Sequence, residues 1–367
     1  MMWAFIRPDA LAVLKDRKAR KSLARYFDVM EDRKHAKFVI AKRIEADFSE
    51  KDSTESLWSL HNKLTEEYYS VESKLDRGEI ELQDLGEPNK SYLDLKAELA
   101  RRILSSCHLC VRRCGVNRLE GQLGYCRCGL DVAVSTYFHH MGEEPELVPS
   151  GTVFTCGCTM TCVHCQNWSI SQWYEPCDTM NAEELARVVE HLRRSGCRNL
   201  NMVGGEPTPW LWQWIETFRR VEVNVPTVWN SNSYYSEETA KLLAGFIDVY
   251  LLDFKYGNDE CAERISDAPG YWEACTRNHL YALRYGELII RILVLPDHLE
   301  CCLRPILEWI AENLGKWVRV NVMFQYRPEF KVFEVEDVPE LRRRLNGEER
   351  RRALEMAGEV GLENFIA

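Results

Sequence analysis

No apolar run in the chain approaches the roughly 20 residues that a membrane-spanning helix needs. The opening stretch, MMWAFIRPDALAVLKDRK, carries too short an apolar segment for a signal peptide. Both absences lead us to expect a cytoplasmic protein without a membrane partner. Positive charge is also scarce: 47 Lys and Arg face 57 Asp and Glu, a formal net charge of −10. That balance argues against a general nucleic-acid-binding surface, and the local basic string RRRLNGEERRR at 342–352 reads as a solvated helix face. Cysteine, in contrast, is abundant. Nine of the 15 fall between Cys107 and Cys165 in metal-like spacings, which suits a reducing, oxygen-poor setting better than the disulfides of a secreted chain.

With 367 residues, 46% of them hydrophobic, the chain can bury a large core around one catalytic domain with appendages. Residues 1–103 read as a helical N-terminal extension, with Leu57, Leu60, Leu64 and Tyr68 as one apolar stripe and breaks at Asp47 to Ser53 and Asp84 to Asn89. A cysteine-rich segment follows at 104–148. Within 149–330 the pattern alternates between short apolar runs and helical stretches, and a C-terminal helical segment occupies 331–367. Expected strands are Thr152 to Thr155, Asn199 to Val203, Thr227 to Asn230, Val249 to Phe254, Leu288 to Leu295 and Val318 to Phe324, with helices such as Ala182 to Arg194 and Glu237 to Ala244 between them. Six βα units in series imply an α/β fold with a parallel sheet and right-handed crossovers. Six are too few for a closed eight-stranded barrel, so the expected architecture is a partial (β/α)6 TIM-like barrel. Ligands of parallel barrels sit at the C-terminal strand ends.

The chemistry is concentrated at those ends. Cys158, Cys162 and Cys165, in CTMTCVHC, follow the first expected strand. Electron-transfer [4Fe-4S] clusters take four thiolates, whereas three on one tight loop leave one iron open to an outside chelator. Close cysteines in a reducing compartment can equally hold zinc. Gly204-Gly205-Glu206-Pro207 closes the second strand, 39 residues beyond Cys165, where glycines allow close main-chain approach and a carboxylate can accept from an ammonium. By itself GGEP would be an ordinary turn. Asn230-Ser231-Asn232 ends the third strand, Asp253-Phe254-Lys255 the fourth, and Arg291 lies in the fifth.

Together the cysteine loop and GGEP resemble the radical SAM enzymes. The resemblance implies a [4Fe-4S] cluster on Cys158, Cys162 and Cys165 whose open iron is chelated by S-adenosylmethionine (SAM). It places His164 on the adenine, where Tyr or Phe is usual, and the backbone and carboxylate of Gly204, Gly205, Glu206 and Pro207 on the SAM amino group. Asn230 and Asn232 would meet the ribose. Asp253 and Lys255 resemble the DxK element of glycyl-radical-enzyme activases, flanking the SAM carboxylate. Arg291 needs an anion, either SAM or a structural carboxylate. The stretch from Leu104 to Ile366 resembles a radical SAM group similar to pyruvate formate-lyase activating enzymes, although activases place a histidine after the last strand where this chain reads FQYRP at 324–328. The implied activity is reductive cleavage of SAM to a 5′-deoxyadenosyl radical that abstracts hydrogen from a substrate, with a flavodoxin or ferredoxin as electron donor. A protein or peptide, such as the glycine of a glycyl-radical enzyme, is the first substrate class; RNA or a small metabolite is the second. A non-catalytic iron-sulfur or zinc module is the reading from another class. The catalytic residues are left unassigned.

A second set, Cys107, Cys110, Cys114 and Cys126 with Cys128 as substitute, could enclose Zn²⁺ or a second iron-sulfur cluster, and spacing does not decide between them. His139 and His140, beside Gly142-Glu143-Glu144-Pro145, are read as loop packing. Cys156, Cys177, Cys197, Cys261, Cys275 and the pair Cys301-Cys302 are read as packed thiols.

Overall fold

The computed structural model describes residues 3–367. Among the described residues nine strands form: β1 (Val132–His140), β2 (Ser150–Thr155), β3 (Asp178–Met180), β4 (Leu200–Gly204), β5 (Thr227–Ser231), β6 (Val249–Asp253), β7 (Glu287–Leu293), β8 (Arg319–Met323) and β9 (Phe365–Ile366). They make one sheet in the order β3-β1-β2-β4-β5-β6-β7-β8-β9. The six expected strands are β2 and β4 to β8, parallel throughout, with β9 parallel to β8. Their near-continuous burial is that of a sheet covered on both faces. The helices between them start where side chains cap them. Asn181 and Glu184 form a capping box at Ala182–Arg194, and the Ser236 hydroxyl accepts from the Thr239 N–H at Glu237–Leu243.

The sheet is mixed rather than wholly parallel. β1 runs antiparallel to both β2 and β3, inside the stretch read from sequence as cysteine-rich and without strands. No crossover helix precedes β1, so the βα repeat carries no sign of it. Phe154, Val203, Asn230, Asp253, Arg291 and Asn321, one from each of the six central strands, line a single cavity of about 440 Å³. A flat sheet could not bring them together, so it curls into a partial barrel with open edges.

The first hundred residues close the floor of that barrel. Val13, Leu23, Tyr26 and Phe27 share a buried cluster with Val228, Val249, Leu251 and Ile289 at the lower ends of β5 to β7. In the Thr54–Asp76 helix, Leu57, Leu64 and Tyr68 are buried as the stripe requires, whereas Leu60 is half-buried and His61 takes its place inward. Polar contacts fix the seam. The backbone N–H groups of Arg25 and Tyr26 donate to Glu287 at 2.7 and 2.6 Å. The Arg25 guanidinium meets Asp248 and Asp76, both at 3.1 Å, and Glu72 at 3.5 Å. Removing one member of a buried ion network leaves the others uncompensated. Arg25→Ala is therefore expected to destabilise the protein by about 3 kcal/mol or more, read as a lower urea midpoint with an unchanged slope.

Candidate active site at the strand ends

After Thr155 the chain turns into the cysteine loop, and glycine makes the turn possible. Gly157 has φ +84°, and a Cβ there would collide with the Cys128 sulfur and lie 2.7 Å from the Tyr174 hydroxyl. At the end of β4, a Cβ on Gly205 would strike the Gly157 carbonyl and sit 2.8 Å from the Ser171 Cα. The GGEP turn therefore rests directly on the backbone of the cysteine loop. From the other side, Thr161 and Val163 N–H donate to the Ser266 and Ile265 carbonyls at 3.0 and 2.9 Å, and Lys331 N–H donates to Val163 at 3.0 Å.

Donors and a cation surround the three sulfurs. Asn232 Nδ2 lies 3.6 Å from Cys158 Sγ, and Ser171 Oγ lies 3.2 Å from Cys165 Sγ. Burial opposes the Lys255 charge, and Asp253, then Cys162 and Cys165, outweigh it and raise the Lys255 pKa. Burial pushes the Cys158 thiol up, assisted by Glu206 and Cys162, and burial followed by Cys162 brings Cys165 to about 11. Among the described residues these sulfurs do not form a set within 4.8 Å of one another. A mononuclear zinc site with 2.3 Å bonds would need sulfurs about 3.8 Å apart. A three-thiolate set of wider span, with polar donors to its sulfurs, fits a [4Fe-4S] cluster.

The other residues singled out from sequence fall into two groups. Asn230, Asp253, Lys255 and Arg291 line the cavity together, with Gln166 and Asn167 just past Cys165 on its wall. Lys255 Nζ and Asp253 Oδ2 pair at 2.7 Å. His164, Gly204, Gly205, Glu206, Pro207 and Asn232 are not part of that lining. His164 is buried against Tyr326, its ring centroid 5.8 Å away, and its Nδ1 has no hydrogen-bond partner. Burial, then Lys255, lowers its pKa to about 3, so the imidazole stays neutral. Pro207 introduces the short turn Thr208–Trp210.

Two of these side chains have partners within the protein. Glu206 is 1% exposed, and its carboxylate accepts from Ser231 Oγ (2.7 Å), Asn232 N–H (2.9 Å) and the Thr208 hydroxyl (2.5 Å). It braces the β4 turn against the end of β5. Arg291, for which SAM and a structural carboxylate were both open, takes the carboxylate. Its Nε and Nη2 reach the two Glu144 oxygens at 2.7 and 2.6 Å, Glu143 accepts a further bond, and Asn230 Oδ1 lies 3.2 Å from Nη1. Sequence reading passed over Glu143 and Glu144 as neighbours of a histidine pair. The one available signal was that a buried arginine demands an anion, but the partner lies 147 residues away.

At the N-terminal knuckle, Cys107, Cys114 and Cys126 all lie near enough to Cys110 to raise its pKa beyond the effect of burial. Cys128 is hydrogen-bonded with Cys126 and also meets the Tyr174 hydroxyl, 2.9 Å away, behind Gly157. The two cysteine sets are thus back to back. Cys156, expected as a packed thiol, is paired with Cys177 in a disulfide.

Residues 152–310 match the model of the Radical SAM superfamily. The chain is also 44% identical over 347 residues to the uncharacterized protein MJ0674 of Methanocaldococcus jannaschii, covering 93% of this chain and 98% of that one. It belongs to the radical SAM superfamily. A second uncharacterized M. jannaschii protein, MJ0808, is 25% identical over 255 residues, 64% of this chain and 74% of that one. Among solved structures, Streptococcus suis SuiB bound to S-adenosylmethionine aligns at 15% identity and TM-score 0.42 over 57% of this chain and 47% of its own. TYW1 with a lysine-pyruvate adduct aligns at 15% identity and TM-score 0.34, over 57% of this chain and 73% of its own. The chain thus spans less than half the length of SuiB.

Because the Gly205 Cα faces the Gly157 carbonyl, Gly205→Ala is expected to displace the cysteine loop and lower iron per chain after anaerobic reconstitution. Gly347→Ala, where a Cβ meets nothing within 4 Å, is expected to leave iron content unchanged.

Proposed function

We propose that this radical SAM enzyme reductively cleaves SAM and uses the resulting radical to abstract hydrogen from a protein or peptide, in the manner of a glycyl-radical activase, with a flavodoxin or ferredoxin as electron donor. The observation that carries the reading is the cavity of about 440 Å³ beside the cysteine loop, lined by Asp253, Lys255, Asn230 and Arg291. Its size is at the lower end of small-molecule sites, enough for one nucleoside joined to an amino acid. A substrate must then present its reacting group from outside, over the rim.

Cys158, Cys162 and Cys165 would hold the cluster, which when bound would supply the electron for the reductive cleavage of SAM. The protein's own groups position and shield. The Asp253–Lys255 pair offers both signs to a zwitterionic amino acid, Lys255 to its carboxylate and Asp253 to its ammonium. Arg291, paired with Glu143 and Glu144, also holds the Asn230 side-chain carbonyl at 3.2 Å. Asn232 donates toward the Cys158 sulfur and the Ser171 hydroxyl lies against that of Cys165, a lever on cluster potential. Beside the loop, Trp168 stacks on Phe330 at 5.5 Å and packs edge-on to Trp173 at 4.3 Å. Trp173 is half exposed, an aromatic shelf suited to a peptide segment.

Anaerobically reconstituted protein given SAM and dithionite is expected to release 5′-deoxyadenosine above a Cys158→Ala control. Fully loaded protein that releases none would favour a binding or electron-carrying module. Lys255→Ala removes a charged hydrogen bond and is expected to weaken SAM binding roughly ten- to a hundredfold, measured by calorimetry, with iron content retained.

A further inference from the structure

Four soft ligands outside the radical SAM site converge on one point. Cys261 lies in the Asp259–Ser266 helix after β6, while His298, Cys301 and Cys302 lie in the turn after β7. Their ligand atoms all fall within 4.8 Å of one another, the single such set of three or more among the described residues. His298 Nδ1 is 3.6 Å from Cys261 Sγ, 3.3 Å from Cys301 Sγ and 3.7 Å from Cys302 Sγ, and the last two sulfurs are 3.9 Å apart. A tetrahedral ion with bonds of about 2.3 Å to sulfur and 2.05 Å to nitrogen needs edges of about 3.8 Å between sulfurs and 3.5 Å from sulfur to nitrogen.

Packed thiols, the reading from sequence, do not account for this arrangement. His298 Nε2 faces Glu340 Oε1 at 3.1 Å. An imidazole that donates there has one lone pair left on Nδ1, which can accept from one thiol and not from three. A cation at the centre satisfies all four groups. The surroundings are those of a metal-bound histidine, whose second ring nitrogen donates to a carboxylate that is itself held. Glu340 is fixed by Arg264 at 2.8 Å. Asn258 joins the two ligand segments, its Nδ2 donating to the Cys301 carbonyl at 2.7 Å and its Oδ1 accepting from the Cys261 N–H at 2.8 Å. Gly257 lets them meet, because a Cβ there would lie 2.7 Å from the Cys302 Cα.

We propose that Cys261, His298, Cys301 and Cys302 bind one Zn²⁺ ion. Four protein ligands make a closed, structural site. It ties the loops after β6 and β7 to each other and, through Glu340, to the C-terminal segment. The proposal does not depend on the radical chemistry.

Full-length protein produced with supplemental zinc is expected to hold zinc whose X-ray absorption shows a shell of three sulfurs and one nitrogen. The double variant Cys261→Ser/Cys302→Ser is expected to lose that zinc while keeping the iron bound by Cys158, Cys162 and Cys165. Since this variant could misfold, Glu340→Gln provides an independent reading. It keeps all four ligands and is expected to weaken zinc about 10–100-fold against a competing chelator. A shell of sulfur alone, zinc retained in the double variant, or iron at these residues in place of zinc would each overturn the proposal.

Discussion

The site depends on main-chain contact between two loops that only glycine permits. With Gly205 resting on the Gly157 carbonyl and Gly157 in turn against the Cys128 sulfur and the Cys126 carbonyl, the end of β4, the three-cysteine loop and the N-terminal knuckle form one stack. Glu206 locks the stack laterally by taking donors from Ser231, Asn232 and Thr208. Such contacts transmit a displacement at any one layer to the cysteine sulfurs, because packed backbone cannot yield as a flexible side chain can.

Charge is the second constraint. The lumen holds Arg291, Glu143, Glu144, Asp253 and Lys255 around one cavity, and isolated charges there would be prohibitive. They are paired locally, Arg291 with Glu143 and Glu144, of which Glu143 also meets His140 at 2.9 Å, and Lys255 with Asp253. The two arrangements differ in what they leave to a ligand. Three carboxylate and amide groups enclose Arg291, whereas Lys255 has a single carboxylate partner and stands toward Cys162 and Cys165. The lysine is the cation best placed for a ligand bound beside the cysteine loop.

What could be read in advance followed the range of the signal. Asn199 to Val203 and Val249 to Phe254 are apolar runs between turn residues, and they appear as β4 and β6 within a residue or two. β1 escaped because antiparallel pairing needs no crossover helix, and β9 because two residues carry no periodicity. His298 and Cys301-Cys302 looked like ordinary packing because their fourth partner, Cys261, belongs to a different βα unit. Arg291 announced the need for an anion but not its source.

Residue types and their local spacing determined the superfamily, the six parallel strands and the three-cysteine loop, since each of these is written within a few consecutive residues. The tertiary structure alone decided that Glu206 meets Ser231, Asn232 and Thr208, that Glu143 and Glu144 pair with Arg291, and that Cys261 joins His298, Cys301 and Cys302. These are meetings of side chains far apart in the chain. Which buried charge or thiol finds which partner is set by how the sheet curls and where its loops land, and no short window of sequence encodes that.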